Sequence, residues 1–524
     1  MLLRIAMVAV AMFFLALVAR FYVPGKGFTA LILFGGNFAE KYIPEIKNLP
    51  YYAEEGTYGY DAQWYVQIAI RPNLRDPEML SAVDSLPYRV RRILFCWTAY
   101  VLGFGNPAWI VGVYACQNIV CWMALGWLML RWFPATTWDN VFRWTAVLLS
   151  GGLCASVRYS LVDGPSLLLI ACGVALFESG RPWWSALVLG VSGLGKETNI
   201  LSAGTVINPR DKTLQGWLAS AARGGIAVVP ILLWIYYILS MHWPAEGNTG
   251  ARAFDAPFVA MWQKIRFTAE GLAKGGKEAE LARGSLYAIV ALSTQFTFFV
   301  LRPRLSQPWW RATVGFCLLM IFLGEAVWEG YPGAAIRVLL PMTLAFNVLV
   351  PRGRGWIIVL ILGNLTVLTS WDLTRPPIGD GYKLVGSADL IQQKAVSPVL
   401  RIDFPSGWNR PERGQLEHWR WARGRSEVSI YNSLKEPVYL DVEFEVNAIA
   451  PRKVSFGRES EEYWSGQVDN KKRSVHIETL IITPGENRFW WQTDREADQS
   501  ANPADTRKLA FRVYDLTFEV RHSR

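Results

Sequence analysis

Asp61, in the run Tyr58-Gly59-Tyr60-Asp61-Ala62-Gln63-Trp64-Tyr65, stands a short way beyond an apolar N-terminus able to span a membrane. A carboxylate among aromatic rings at a membrane surface can take a proton from an attacking hydroxyl, provided a closed site raises its basicity. Tyr60 and Gln63 flank it as supporting groups. Lys196 and Glu197, in Gly195-Lys196-Glu197-Thr198, interrupt an otherwise apolar stretch, where an unpaired charge is costly. They either pair with neighbouring helices and fix packing, or Lys196 faces a phosphate-bearing substrate while Glu197 orients it. Asp84, Tyr88, Arg89, Arg91 and Arg92 precede the next apolar stretch, with Arg89 and Arg92 spaced to share one helical face. That spacing suits a clamp on phosphate or a glycan, against ordinary interface anchoring. Arg337 opens Arg337-Val338-Leu339-Leu340-Pro341, beyond Glu325, Glu329 and Tyr331, and offers a further phosphate contact or anchor. Asp163, beside Gly164-Pro165, reads first as a helix-start cap and second as a site residue.

The elements that must position these groups are apolar spans. Over half of the 524 residues are hydrophobic (52%) and 25 are Trp, a ring content that favours a polytopic membrane protein. The net charge of +10 sits mostly in short loops, where topology selection and anionic lipid explain it, and no nucleic-acid motif competes. Met1 to Val23 reads as an uncleaved first helix ending at Pro24-Gly25. A large first outer loop at 24–90 has room for one or two interfacial helices. Further spans fall near 92–104, 108–130, 143–157, 164–178, 184–205, 220–241, 285–301, 312–328, 333–350 and 355–371, giving about eleven transmembrane helices. The loops 210–223, 302–311 and 351–354 are basic and read as cytoplasmic, which leaves 24–90, 242–284 and the C-terminal region outside. The short spans near 143 and 164 leave the topology of 131–183 open.

After a linker at 372–384, the pattern changes to short alternating runs: Val428 to Asn432, Val438 to Val446, Lys453 to Phe456, Ser474 to Ile482, Asn487 to Thr493 and Lys508 to Val520. Residues 385–524 are therefore expected to form an extracytoplasmic β-sandwich or jelly-roll. Trp408, Trp419 and Trp421 either pack its core or stack on a sugar. The six cysteines fall in or beside apolar spans, and neither they nor the four histidines show metal-ligand spacing, so no metal site is assigned.

The order of Gly59-Tyr60-Asp61-Ala62-Gln63, Tyr88-Arg89-x-x-Arg92-Ile93-Leu94, Gly195-Lys196-Glu197-Thr198 and Arg337-Val338-Leu339-Leu340-Pro341 resembles that of bacterial integral membrane enzymes of the glycosyltransferase-C superfamily, over about residues 1–371. The resemblance implies a multi-span bundle in the bacterial cytoplasmic (inner) membrane, and a polyprenyl-phosphate or polyprenyl-diphosphate sugar as donor. It also implies that the acidic residue of the first outer loop, here Asp61, is the base. The acceptor would be a glycan, lipid or protein hydroxyl. Many members carry a paired acidic motif in that loop; here the nearest carboxylates are Glu54, Glu55 and Asp76, which disfavours a divalent metal and favours neutralisation by Arg89, Arg92, Lys196 and Arg337. Direct displacement would invert the anomeric carbon. A lipid-linked glycan transporter and a non-catalytic scaffold carrying a sugar-binding β domain remain as alternatives.

Overall fold

The computed structural model describes residues 1–23, 25–54, 57–209, 213–243, 251–377, 382–385, 400–409, 411–413, 417–499 and 507–521. The expected break at Pro24, Glu55, parts of the loops expected at 210–223 and 242–284, and the linker glycines Gly379 and Gly381 lie outside them. The chain divides into two compact units, with the main boundary between Pro376 and Pro377, inside the expected linker.

The first unit is helical. Among the described residues four helices are long and apolar enough to cross a membrane: Leu2–Ala19, Pro107–Met129, Leu214–Ser240 and Gly276–Leu301. Local chemistry sets several boundaries. Asn106 caps the second by accepting from the amides of Ala108 (3.0 Å) and Trp109 (3.3 Å), with Pro107 supplying a preset first turn. Phe14 stacks on Trp122 at 3.8 Å, tying the first helix to the second.

Between and after these long helices, several of the expected uninterrupted spans are broken. The stretch near 143–157 is two helices, Trp138–Leu148 and Gly151–Arg158. That near 184–205 is Pro182–Gly195 followed by a 3-10 segment, Glu197–Val206. That near 333–350 is Ala335–Val338 followed by Leu340–Leu349. Breaks at membrane depth free backbone groups, which is tolerated where they line a polar interior rather than lipid. Lys196 and Arg337 stand at such breaks, and Arg158 ends the Gly151–Arg158 helix.

The first outer loop departs from the expected interfacial helices. Every residue of Ala62–Ile70 is buried, and Trp64, Tyr65 and Ile68 join Ile32, Phe34, Tyr42, Leu86 and Ile93 in a separate apolar core. The Gln67 side chain stitches this core by accepting from the Ile43 amide (3.0 Å) and donating to the Ala82 carbonyl (3.0 Å). Arg71 clamps its rim, bonding Glu45 through two nitrogens (2.8 and 2.7 Å), Asp76 (2.5 Å) and Glu78 (2.8 Å).

The second unit is β-rich. Its principal strands run in the spatial order Arg473–Ile482, Val438–Ala448, Phe511–Arg521, His418–Asn432, Gly485–Thr493, Arg452–Arg458 and Glu461–Val468; only the last two are neighbours both in sequence and in the sheet. The long strand His418–Asn432 pairs at its start with Phe511–Arg521 and at its end with Gly485–Thr493 and Leu400–Trp408. Gly424, at φ +135, lies between the two parts. Phe444 from one part of the sheet meets Trp491 from the other at 4.8 Å, over a shared core with Phe456, Phe489 and Phe511. Trp408 belongs to that core. Trp421 is also buried, and the Arg512 guanidinium covers its ring at 4.7 Å.

Candidate functional site

Asp61 immediately precedes the Ala62–Ile70 helix and makes no cap; its carboxylate turns instead to Arg89, at 3.1 Å. Arg89 ends the short helix Leu86–Arg89 and also holds Asp84 through two bonds of 2.9 and 2.6 Å. One turn on, Arg92 grips Glu197 through two bonds of 2.9 and 2.8 Å and reaches the hydroxyls of Tyr65 and Tyr88, each at 2.9 Å. The three-residue spacing puts both guanidinia on the Tyr88 side: Arg89 lies over that ring at 5.6 Å and Arg92 at 5.0 Å.

Lys196 follows the last residue of the Pro182–Gly195 helix and is extended (φ −158, ψ 124), so its side chain and that of Glu197 take different directions. Lys196 reaches Asp163 at 2.6 Å while Glu197 reaches Arg92. The carboxylate seated against Lys196 is therefore Asp163, and the expected orienting role of Glu197 goes to Arg92. The helix can come this close because Gly195 packs on Phe95, where an added Cβ would lie 2.8 Å from the ring.

Asp163 begins the Asp163–Glu178 helix, yet its side chain caps nothing: one oxygen takes Lys196 and the other takes Arg337 at 3.2 Å. The reading as a helix-start cap is thereby corrected. Its position is fixed by a polar knot in which the Ser156 hydroxyl accepts from the Gly164 amide (2.7 Å) and Asn118 donates to the Leu161 carbonyl (2.8 Å). Arg337 is delivered by close packing, because Gly152 faces the Ile336 carbonyl where a Cβ would stand 2.2 Å away. Arg337 also donates to the Tyr60 hydroxyl at 2.9 Å, and the Tyr60 ring stacks on Tyr159 at 4.6 Å.

Asp61, Tyr60, Tyr88, Arg89, Arg92, Lys196, Glu197 and Arg337 thus gather in one neighbourhood, joined by Tyr65, Asp84, Asp163 and Tyr159. Gln63 does not join it; it accepts from Tyr42 at 2.5 Å inside the loop core. Glu325 and Glu329 meet the exposed Arg252 at 3.1 and 3.7 Å, and Tyr331 lies under Lys264 at 5.2 Å, so these three form a separate group. Tyr65 and Tyr159 had no charge to mark them in the sequence. Asp163 did, but its Asp-Gly-Pro context suits a cap equally well.

Exposure grades across the site. Asp61 and Asp84 each keep 34% of their side-chain surface and Glu197 25%, whereas Asp163 keeps 6% and Lys196 7%. Each of the four cations is met by a carboxylate. Burial works to raise the Asp61 carboxyl, but the Arg89 and then the Arg337 charge outweigh it and hold the group below its ordinary value. This reverses the expected gain in basicity from the protein's own groups. Among the described residues no three His, Cys, Asp or Glu side chains gather as a metal-holding group.

No family model and no curated protein sequence matches the chain. Among solved structures, the arabinosyltransferase EmbB from Mycobacterium smegmatis aligns over 97% of this chain and 64% of its own, at 10% identity and a TM-score of 0.27. The chain thus spans less than two thirds of that protein's length. TmCBM61, solved in complex with beta-1,4-galactotriose, aligns over 24% of this chain and 88% of its own, at 9% identity and a TM-score of 0.15. At these scores neither assigns a fold or a residue.

Proposed function

We propose that the protein is an inverting membrane glycosyltransferase that moves a sugar from a polyprenyl-phosphate or polyprenyl-diphosphate donor to an acceptor hydroxyl at the extracytoplasmic face of a bacterial cytoplasmic membrane. The observation that carries this reading is the partly open Asp61 carboxylate paired with Arg89 of the same outer loop and within the field of Arg337, which comes from a distant helix break. A displacement at an anomeric carbon needs those two elements: a proton acceptor for the hydroxyl and positive charge for the departing phosphate.

In this reading the lipid tail lies among the helices and the phosphate meets Arg92 and Arg337, whose planar forks suit its oxygens. The acceptor oxygen forms a bond to the anomeric carbon, the bond from that carbon to the phosphate oxygen breaks with its electron pair leaving on phosphate, and the hydroxyl proton passes to Asp61. The arriving phosphate draws on the cations that depress Asp61, so its basicity recovers when the donor is bound. Lys196, sealed against Asp163, acts through the placement of Arg337 and by adding positive potential. The outer placement of the loop and of the β-rich unit follows from loop charge.

The test is the purified protein in nanodiscs with radiolabelled polyprenyl-phosphate pentoses and hexoses and an envelope extract as acceptor. Transfer that disappears in Asp61→Asn supports the reading. Absence of transfer from every donor, with movement of lipid-linked glycan across proteoliposomes instead, would replace it by the transporter.

A further inference from the structure

Next to the charged site, the first outer loop lines an open cleft of about 520 Å³, within the roughly 300–1,000 Å³ typical of small-ligand sites. Phe38 offers a partly exposed ring to its wall, backed by the buried Tyr42 and Trp64, and Glu40, Ser81 and Asp84 supply oxygen. We propose that this cleft binds a neutral oligosaccharide, the acceptor chain of the transfer reaction.

Charge selects that class of ligand. Lys41 and Lys47 line the cleft together with Glu40, Glu78 and Asp84. Glu78 is bonded to Arg71 and Asp84 to Arg89, while Lys47 donates to the Glu40 carbonyl at 2.6 Å. The lining therefore carries no large excess of either sign, and neither a phosphate nor a cation gains much there. A sugar chain uses what remains: a C–H face packs on Phe38, and its hydroxyls donate to carboxylate and serine oxygens.

Position ties the cleft to the chemistry. Asp84 is on the cleft wall and holds Arg89, which holds Asp61, so two ion pairs lead from the cleft to the base. Tyr42, also on the wall, donates to Gln63, two residues after Asp61. A chain seated in the cleft would present its end hydroxyl toward Asp61. The word acceptor rests on the transfer reading; the binding of sugar does not.

Titration calorimetry of the full-length protein in nanodiscs with cellotriose, maltotriose, mannotriose, galactotriose and xylotriose tests the site without requiring turnover. At least one should bind saturably, and Ser81→Trp, which fills the cleft from an exposed wall position, should weaken it by about tenfold or more. Glu40→Gln keeps the shape and removes an anionic acceptor, so it should weaken binding several-fold even if the bulkier variant misfolds. Binding of none of the five, or unchanged affinity in both variants, overturns the proposal. Sugar binding that persists in a protein without transfer activity upholds the cleft and removes the glycosyltransferase reading.

Discussion

Arg92 and Glu197 stand 105 positions apart in the sequence, yet they meet through two parallel bonds, Nε to Oε2 at 2.9 Å and Nη2 to Oε1 at 2.8 Å. The pair joins the end of the first outer loop to the break after the Pro182–Gly195 helix, and it fixes a guanidinium that also touches Tyr65 and Tyr88. Arg92→Lys keeps the charge and loses the fork. The transfer reading expects a rise in donor KM with a smaller fall in kcat, checked by steady-state kinetics on polyprenyl-phosphate sugars.

Asp61→Asn keeps the shape and removes the proton acceptor. Turnover should fall by roughly 10²-fold or more with little change in donor affinity. Arg89 remains paired with Asp84, so the local fold should hold; an unchanged unfolding temperature in detergent is the control.

The pH profile separates the empty from the loaded enzyme. The protein's own cations hold the Asp61 carboxyl below its ordinary value, so the acid limb of kcat/KM, which reports the free enzyme, should fall below the usual carboxylate range. Donor phosphate competes for the same cations, so the acid limb of kcat should lie at higher pH. Stability follows the same sign: the contribution of the ionised Asp61 is present above its unfolded pKa and is lost as pH falls through the folded value. Coincident limbs for kcat and kcat/KM would remove phosphate from the neighbourhood of Asp61.

Asp163 and Lys196 are expected to behave as a unit. Removing one partner strands a buried charge, which costs about 3–5 kcal/mol in comparable pairs. Asp163→Asn combined with Lys196→Met should lose less stability than the two single losses added together. Thermal unfolding of all four proteins measures the coupling, and simple additivity would sink it.

Gly152→Ala tests how Arg337 is delivered. A Cβ would stand 2.2 Å from the Ile336 carbonyl, and overpacking of this kind costs about 1–3 kcal/mol. Activity should fall further than stability alone explains, since Arg337 is the next residue; rescue by moderate cooling would point to stability only.

The types of residue in the site were legible because a charge in an apolar stretch is conspicuous: Asp61, Arg89, Arg92, Lys196 and Arg337 needed no structure to be noticed. Their pairing was not legible. Lys196 meets Asp163 across 33 positions and Arg337 meets it across 174, distances over which no local pattern reports. Glu325, Glu329 and Tyr331 were grouped with Arg337 by sequence proximity, but Gly330 (φ +89) and Gly333 (φ +101) turn the chain between them. Long apolar runs identified the helices, while the breaks within them depend on tertiary partners. In the β-rich unit, alternation marked Val438–Ala448 and Gly485–Thr493 but missed Leu400–Trp408 and Glu461–Val468, whose glycines and polar residues blur a period of two.

The strand farthest along the chain, Phe511–Arg521, lies inside its sheet, between Val438–Ala448 and His418–Asn432. A ribosome must therefore have synthesised residue 521 before the earlier strands acquire their central neighbour. Until then Val438–Ala448 and His418–Asn432 present bare edges to chaperones and proteases, and a stop codon shortly before 511 would leave them so permanently.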